Sequence, residues 1–140
     1  MPKYIKSTLS DGEEIKGAFK YHWFVTFKIV TYYLVSFCFF VVPPVAVLLF
    51  IYAIYYHLSM RKSEFAVTNK RVIMKKGIIS IDTEEMRNSK VESIEIKQSA
   101  LGRILGYGEI EVTGTGISKV IFKFLYNPKG VKRQMESAIF

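Results

Sequence analysis

Cysteine is almost missing from this chain. Cys38 stands alone, so no internal disulfide can form and a small oxidised scaffold is excluded. Histidine is nearly as scarce: His22 and His57 lie 35 positions apart, with no second cysteine to make a metal-ligand spacing. No Ser/His/Asp or Cys/His arrangement is visible, which speaks against nucleophilic catalysis. Gly102, Gly106 and Gly108 are not followed by Lys-Ser/Thr, so they make no phosphate-cradling loop. The most informative absence is charge. Across the 32 residues between Lys28 and Arg61 there is no Asp, Glu, Lys or Arg.

Of those 32 residues, 26 are apolar; the other 108 contain 44, about 41%, as in a water-soluble chain. A soluble-type protein therefore carries one membrane-grade block. A bilayer span needs about 20 mainly apolar residues, because each rises about 1.5 Å through a core about 30 Å thick. Residues 23–60 number 38, too many for one ordinary span. In the middle stands Pro43-Pro44, which removes two backbone donors and disfavours helix at the preceding residue. The reading is a transmembrane helical hairpin of residues 23–42 and 44–60, turning at the prolines. Residues 1–22 are then an N-terminal segment and residues 61–140 a folded domain. Cys38, inside the block, is expected to pack unreactively.

Charge sets the orientation. The formal net charge is +8, with +2 over residues 1–28 and +6 over residues 61–140. Lys and Arg concentrate on the cytoplasmic side of membrane helices, and a hairpin places both basic flanks there. This predicts a multi-pass plasma-membrane protein with both termini cytoplasmic. Tyr21, Trp23, Phe24, Tyr52, Tyr55 and Tyr56 lie towards the base of the two stretches, where amphipathic rings favour the interface. The apolar run starts too far in and lacks a small-x-small site, so it is not a signal peptide. Nucleic acid is a poor explanation of the charge, since 13 of 21 aromatic residues lie within residues 21–58 rather than among surface bases.

After Lys62 the pattern changes to short strands with frequent turn signals. Residues 64–68 and 71–76 are β-rich and separated by Asn69-Lys70, a two-residue turn in which Asn tolerates positive φ. Gly77 marks a turn into residues 78–82, and residues 91–97 form another strand. Residues 100–105 read as a short helix capped by Ser99 and stopped by Gly106. Residues 107–113 place Ile110 and Val112 inward and Glu109 and Glu111 towards water. Residues 117–125 set Val120, Phe122 and Phe124 opposite Lys119 and Lys123. Asn127 and Pro128 open a final helix whose Val131, Met135, Ala138 and Ile139 form one apolar stripe. About six antiparallel strands closed by one helix read as α+β, a curved sheet plugged by a C-terminal helix.

The order of motifs resembles a known family. Phe65-Ala66-Val67-Thr68-Asn69-Lys70-Arg71-Val72-Ile73, then Lys76-Gly77-Ile78-Ile79, is similar to the opening of bacterial pleckstrin-homology (PH) domains on small membrane proteins with paired transmembrane segments. Gln98-Ser99-Ala100-Leu101-Gly102-Arg103-Ile104-Leu105-Gly106-Tyr107-Gly108 resembles a later stretch of that family. Leu9-Ser10-Asp11-Gly12-Glu13-Glu14 and His22-Trp23 are similar to the segment before its membrane helices. The resemblance spans nearly the whole chain and implies a PH-like fold: a bent antiparallel sheet capped by the C-terminal helix. Phosphoinositide-binding PH domains carry a long basic loop between the first strands, whereas here that turn is only Asn69-Lys70.

The densest basic cluster is Arg61, Lys62, Lys70, Arg71, Lys75 and Lys76, next to the apolar block. Anionic lipid attracts such residues by about 1 kcal/mol each. Leu105-Gly106-Tyr107-Gly108 lacks the preceding Thr-Val of a potassium filter and reads as a structural turn. Glu84-Glu85 and Glu109/Glu111 have no partner base and read as solvated faces. The sequence thus points to a non-enzymatic, membrane-anchored binding or assembly module without a cofactor. Its expected partners are the bilayer, a protein or further copies of itself, and anionic lipid head groups, with no nucleic acid. The alternative is a subunit of a transporter or channel. It is weakened by the lack of ionisable residues other than His57 between Ile29 and Met60.

Overall fold

The stretch before the apolar block, expected as a separate N-terminal segment, is built into the domain. The computed structural model describes residues 3–116 and 118–140. Helix α1 (Lys3–Ser7) and strand β1 (Ile15–Phe19) come first. The long helices α2 (Trp23–Cys38) and α3 (Pro43–Lys62) follow, joined by a 3-10 turn over Phe39–Val41. Next come β2 (Glu64–Thr68), β3 (Arg71–Lys76), β4 (Asp82–Arg87) and β5 (Val91–Lys97). Helix α4 (Ala100–Leu105) leads to β6 (Tyr107–Gly114) and β7 (Lys119–Tyr126), and α5 (Pro128–Ile139) closes the chain. Ile117, read as the start of a strand, lies outside the described residues.

The expected single curved sheet is two antiparallel sheets, β1-β2-β3-β4 and β5-β6-β7. Strand β1 pairs with β2, with Ala18 opposite Ala66 and Phe19 opposite Phe65. The two long helices are therefore inserted between adjacent strands. Ile15-Lys16-Gly17-Ala18-Phe19 has no strong apolar alternation, so its strand state depends on a partner 46–53 residues later. Between the sheets lies a core of Phe65, Val67, Val72 and Met74 against Ile94, Ile110, Val112, Phe122 and Leu125, closed by Met135 of α5. Val131, Ala138 and Ile139 pack on that core too, as the stripe predicts. The opposite face of the first sheet is also covered, because Ala66 and Ile73 are buried under Ile5 of α1. This double burial explains why β2 and β3 read as nearly continuous apolar runs.

Local signals are borne out where they act within one turn. The Ser99 side chain accepts from the Gly102 amide and Gly106 ends α4 at φ 83°. The Asn127 side chain accepts from the Gly130 amide and Pro128 opens α5. Three expectations shift. The strand read at residues 78–82 lies instead at β4, an acid-rich edge with only Met86 buried and hence no usable periodicity. Neither Asn69 nor Lys70 has positive φ; the Thr68 hydroxyl holds that turn by accepting from the Lys70 and Arg71 amides at 3.2 and 2.9 Å. Pro43-Pro44 is not the turn between the long helices. Val42 is the N-cap of α3 and the prolines are its first residues, where their missing N–H groups have no helical partner to lose.

Helices α2 and α3 lie side by side along small or edge-on contacts. Ala46 and Ala53 are buried on one face of α3, and the Ser36 hydroxyl donates to the Ala46 carbonyl at 2.9 Å. Tyr32 meets Tyr52 and Tyr56 edge-on at 5.6 and 5.3 Å. Cys38, expected to pack, is exposed next to the turn.

Strand register divides the domain into two ends. Phe19 pairs with Phe65 where β1 runs on towards α2 and α3 runs into β2. Glu64 pairs with Lys75 and Lys76 with Asp82, so the β3–β4 loop lies at this helix-proximal end. In the second sheet, Tyr21 bridges Leu125, Tyr107 pairs with Tyr126 and Lys97 with Glu109. Helix α4 therefore lies at the proximal end as well. The turns at residues 69–70 and 88–90 and the described residues that follow β6, Thr115 and Gly116, lie at the distal end.

Candidate functional site

The junction between helices and domain is the most heavily organised region outside the core. Lys20 and the bridging residue Tyr21 follow β1, and His22 then caps α2 through Nδ1, which accepts from the Phe24 amide at 3.2 Å. The His22 amide donates to the Phe124 carbonyl at 2.7 Å. Its ring, only 1% exposed, stacks on Tyr126 with centroids 5.7 Å apart. Nε2 of His22 is buried without a hydrogen-bond partner. The Phe24 ring stacks on Tyr107 at 4.8 Å, and Lys28 Nζ lies 4.8 Å from the centroid of Phe124. Tyr21 meets Phe65 edge-on at 4.8 Å and Phe65 meets Phe122 at 5.6 Å. Both legs of the helical pair are thus tied to the core, one through Tyr21 and one through Phe65.

Phe124 departs from the expected alternation. Its φ is +55°, and the register slips between Gly108 and Ile110 on the facing strand. This bulge turns Leu125 into the core and leaves Phe124 only half-buried under α2, instead of continuing the Val120 and Phe122 row. A bulky residue at positive φ is costly, on the order of 1–2 kcal/mol. Here the packed rings and the His22 hydrogen bond hold it.

The six basic residues read as one cluster do not come together. Arg61 and Lys62 end α3 at the proximal end and are exposed. Lys76, also proximal, lies 3.8 Å from Glu84. Lys75 is buried, its Nζ 4.2 Å from the Tyr4 ring centroid. Lys70 and Arg71 are at the distal end, about 13–17 Å away along strands that rise about 3.3 Å per residue. Lys70 Nζ donates to the Asp11 carbonyl at 2.5 Å. Adjacent sequence numbers placed these groups together, whereas the β2–β3 hairpin separates them along its length.

Arg71 is an internal organiser. Its Nε and Nη2 reach both oxygens of Glu13 at 3.0 and 3.1 Å, Nη1 reaches Glu85 at 2.6 Å, and Nη2 also reaches the Thr8 carbonyl at 2.7 Å. Burial by itself would raise the Glu13 carboxyl. Hydrogen bonds from Arg71, the Ser10 amide and the Thr68 hydroxyl outweigh it and hold the group down at about 2. Glu111, read as water-facing, is covered by two lysines on the outer face of the second sheet. Lys119 donates to it at 2.6 Å and Lys97 also donates to it, and these bonds lower its carboxyl to about 2. Cross-strand neighbours from β5 and β7, invisible in the β6 pattern, produce this clamp. Sequence reasoning also missed Glu13, whose partners lie 55 and 58 positions away.

Helices reaching Trp23–Val41 and Pro43–Lys62 are long and apolar enough to cross a membrane, and only 17% and 6% of their most apolar windows are buried. An interior helix of a soluble protein would be mostly buried. At the free edge of the first sheet, β4 presents Asp82, Glu84 and Glu85, and such an acidic edge disfavours pairing with a second copy of itself.

Among curated proteins, none matches this chain. Among solved structures, it is similar to a DUF1696 family protein with a pleckstrin-homology domain from Shewanella loihica PV-4. That likeness has a TM-score of 0.55 at 9% identity and covers 99% of this chain and 93% of the other. At that identity it shows a shared fold. The family model described as bacterial PH domain matches residues 25–135. That match covers most of the chain, and with the PH-like fold it identifies this protein as a member of the bacterial PH domain family.

Proposed function

We propose that this protein is a non-enzymatic, membrane-anchored PH-like module on the cytoplasmic face of the plasma membrane. Helices α2 and α3 span the bilayer as a hairpin, and the domain is held against the inner leaflet. The observation that carries this reading is the exposure of the helical pair. Phe27, Leu34, Phe37, Phe40, Leu48 and Ile51 all face outward, with no protein surface over them. Each helix with its turn is about 28–30 Å long at about 1.5 Å per residue, the thickness of a hydrocarbon core. The few polar groups in the pair are used within it: Ser36 binds the Ala46 carbonyl, and Tyr33 faces His57 at 3.4 Å. That favours an anchor over a transport pathway, which needs polar groups free to meet cargo.

The domain then serves binding. Of the six basic residues of the cluster, Arg61, Lys62 and Lys76 would meet anionic head groups, while Lys70 and Arg71 at the distal end would not. A protein partner or a second copy is the other class of ligand for the domain. Accessibility labelling of single cysteines at Ser10 and Lys129, with Cys38 replaced, tests the anchor. Both positions should react from the same side, and a cysteine at Phe40 should not react from that side. Labelling of Ser10 and Lys129 from opposite sides would sink the hairpin. Crosslinking in native membranes then separates a partner-binding module from a self-assembled pore.

A further inference from the structure

Outside the two long helices and the turn that joins them, the described large apolar side chains that are exposed are Ile79, Ile81, Leu101, Ile104, Tyr126 and the terminal Phe140. The first five all lie at one end. Ile79 and Ile81 belong to the β3–β4 loop, Leu101 and Ile104 to α4, and Tyr126 to the end of β7. The strand register puts each of these beside the bases of α2 and α3. Ile79 is 92% exposed and Ile104 83%. The described residues of the distal turns present Asn69, Lys70, Asn88, Ser89, Lys90, Thr115 and Ser118 instead. Scattered apolar residues on a surface are ordinary, but segregation to the end from which an apolar hairpin leaves is not.

The presentation of the isoleucines is built in. Gly77 has φ +98°, and a Cβ there would lie 1.9 Å from the Ser80 carbonyl oxygen, so a tight loop pushes Ile79 outward. Helix α4 is fixed by its Ser99 cap and by Gln98, whose side chain donates to the Tyr107 carbonyl at 2.9 Å. Each apolar tip has a cation beside it: Lys76 before the β3–β4 loop, opposite Asp82 and 3.8 Å from Glu84, and exposed Arg103 between Leu101 and Ile104. Apolar side chains with a cation beside them suit the boundary between acyl chains and anionic head groups.

We infer that the β3–β4 loop and helix α4 enter the interfacial layer of the leaflet from which the hairpin starts. The domain is then fixed on lipid at two sites flanking the hairpin base and does not swing on it. This inference rests on the membrane-anchor reading above, and it names the lipid-contacting surface of the domain. The occupant is the same bilayer, since α3 enters β2 across Ser63 alone and leaves these tips no room to stand far from it.

The test uses the full chain with Cys38→Ser, reconstituted in phosphatidylcholine–phosphatidylglycerol vesicles. Single cysteines at Ile79, Ile104, Phe37 (hairpin), Lys70 and Thr115 (distal) carry a small fluorophore. Lipids with a nitroxide near the head group should quench the probes at 79 and 104 at least roughly twofold more than those at 70 and 115. Quenching at 37 by a deep acyl-chain nitroxide, with 79 and 104 no different from the distal probes, overturns the inference and leaves the anchor intact. Loss of both signals overturns the anchor as well. Protection of 79 and 104 from aqueous iodide without nitroxide quenching means that a second copy covers them, and this also overturns the inference.

Discussion

The His22 amide donates to the Phe124 carbonyl at 2.7 Å, so the first turn of α2 is fastened to a bulge in β7 that holds Phe124 at φ +55°. The bond joins the helical pair to the domain at the point where the strand alternation breaks. It turns a backbone irregularity into a fixed docking angle.

Removing the Phe124 ring forfeits its contacts with Phe24, Tyr107 and Lys28 in both Phe124→Ala and Phe124→Gly. Alanine keeps the positive-φ penalty and glycine does not. Glycine should therefore be the more stable variant by about 1 kcal/mol, the reverse of their usual order. Thermal unfolding in detergent decides; an alanine variant at least as stable as glycine would refute strain at this residue.

Glu13 titrates at about 2 in the fold against 4.5 for the free group. A lowered carboxyl contributes stability that is fully present above about 4.5 and is lost as pH falls towards 2. Glu111 titrates over the same window, so the readout is the difference between wild type and Glu13→Gln. At pH 7 the variant should be less stable by about 2 kcal/mol, with Arg71 left only Glu85 of its two carboxylates. The gap should narrow as pH drops from 4.5 to 2.5. A gap independent of pH would mean that the charge of Glu13 is irrelevant.

Gly77→Ala places a methyl group against the Ser80 carbonyl at a position of φ +98°. The β3–β4 loop must rearrange, with a loss of about 1–3 kcal/mol. Amide exchange should rise across residues 77–82, with residues 107–114 unchanged. Exchange equal to wild type in the loop would show that its tight form is dispensable.

Ala53 is fully buried between α2 and α3. Ala53→Leu should wedge the helices apart and destabilise their packing by about 1–3 kcal/mol. Ile51→Leu, on the exposed face, should leave it unchanged. Protease resistance of the 3-10 turn in detergent reports both, and equal resistance of the two variants would exclude close packing at Ala53.

Anionic lipid should raise the melting temperature of the reconstituted protein, and replacement of Arg61, Lys62 and Lys76 by Gln should remove most of that rise. The individual contributions are about 1 kcal/mol and screened by salt. Lys70→Gln, at the distal end, should have little effect. A larger loss from Lys70→Gln than from the triple variant would reverse the assignment of ends.

What the sequence determined by itself is what depends on near neighbours. The long uncharged run specifies two helices because apolar content and prolines act within a few residues. Ser99 with Gly106, and Asn127 with Pro128, set helix ends through contacts one turn away. Tertiary structure decided everything that needed a partner distant in sequence. Strand β1 exists because β2 offers its edge, and Glu111 is covered because Lys97 and Lys119 flank it across two strand pairs. The basic run from Arg61 to Lys76 is parted because a hairpin carries its members to opposite ends. The exposed isoleucines, scattered over 26 positions of sequence, come to the same end as the helix base through strand register. Register is a sum of many weak cross-strand choices, and no short stretch of sequence contains it.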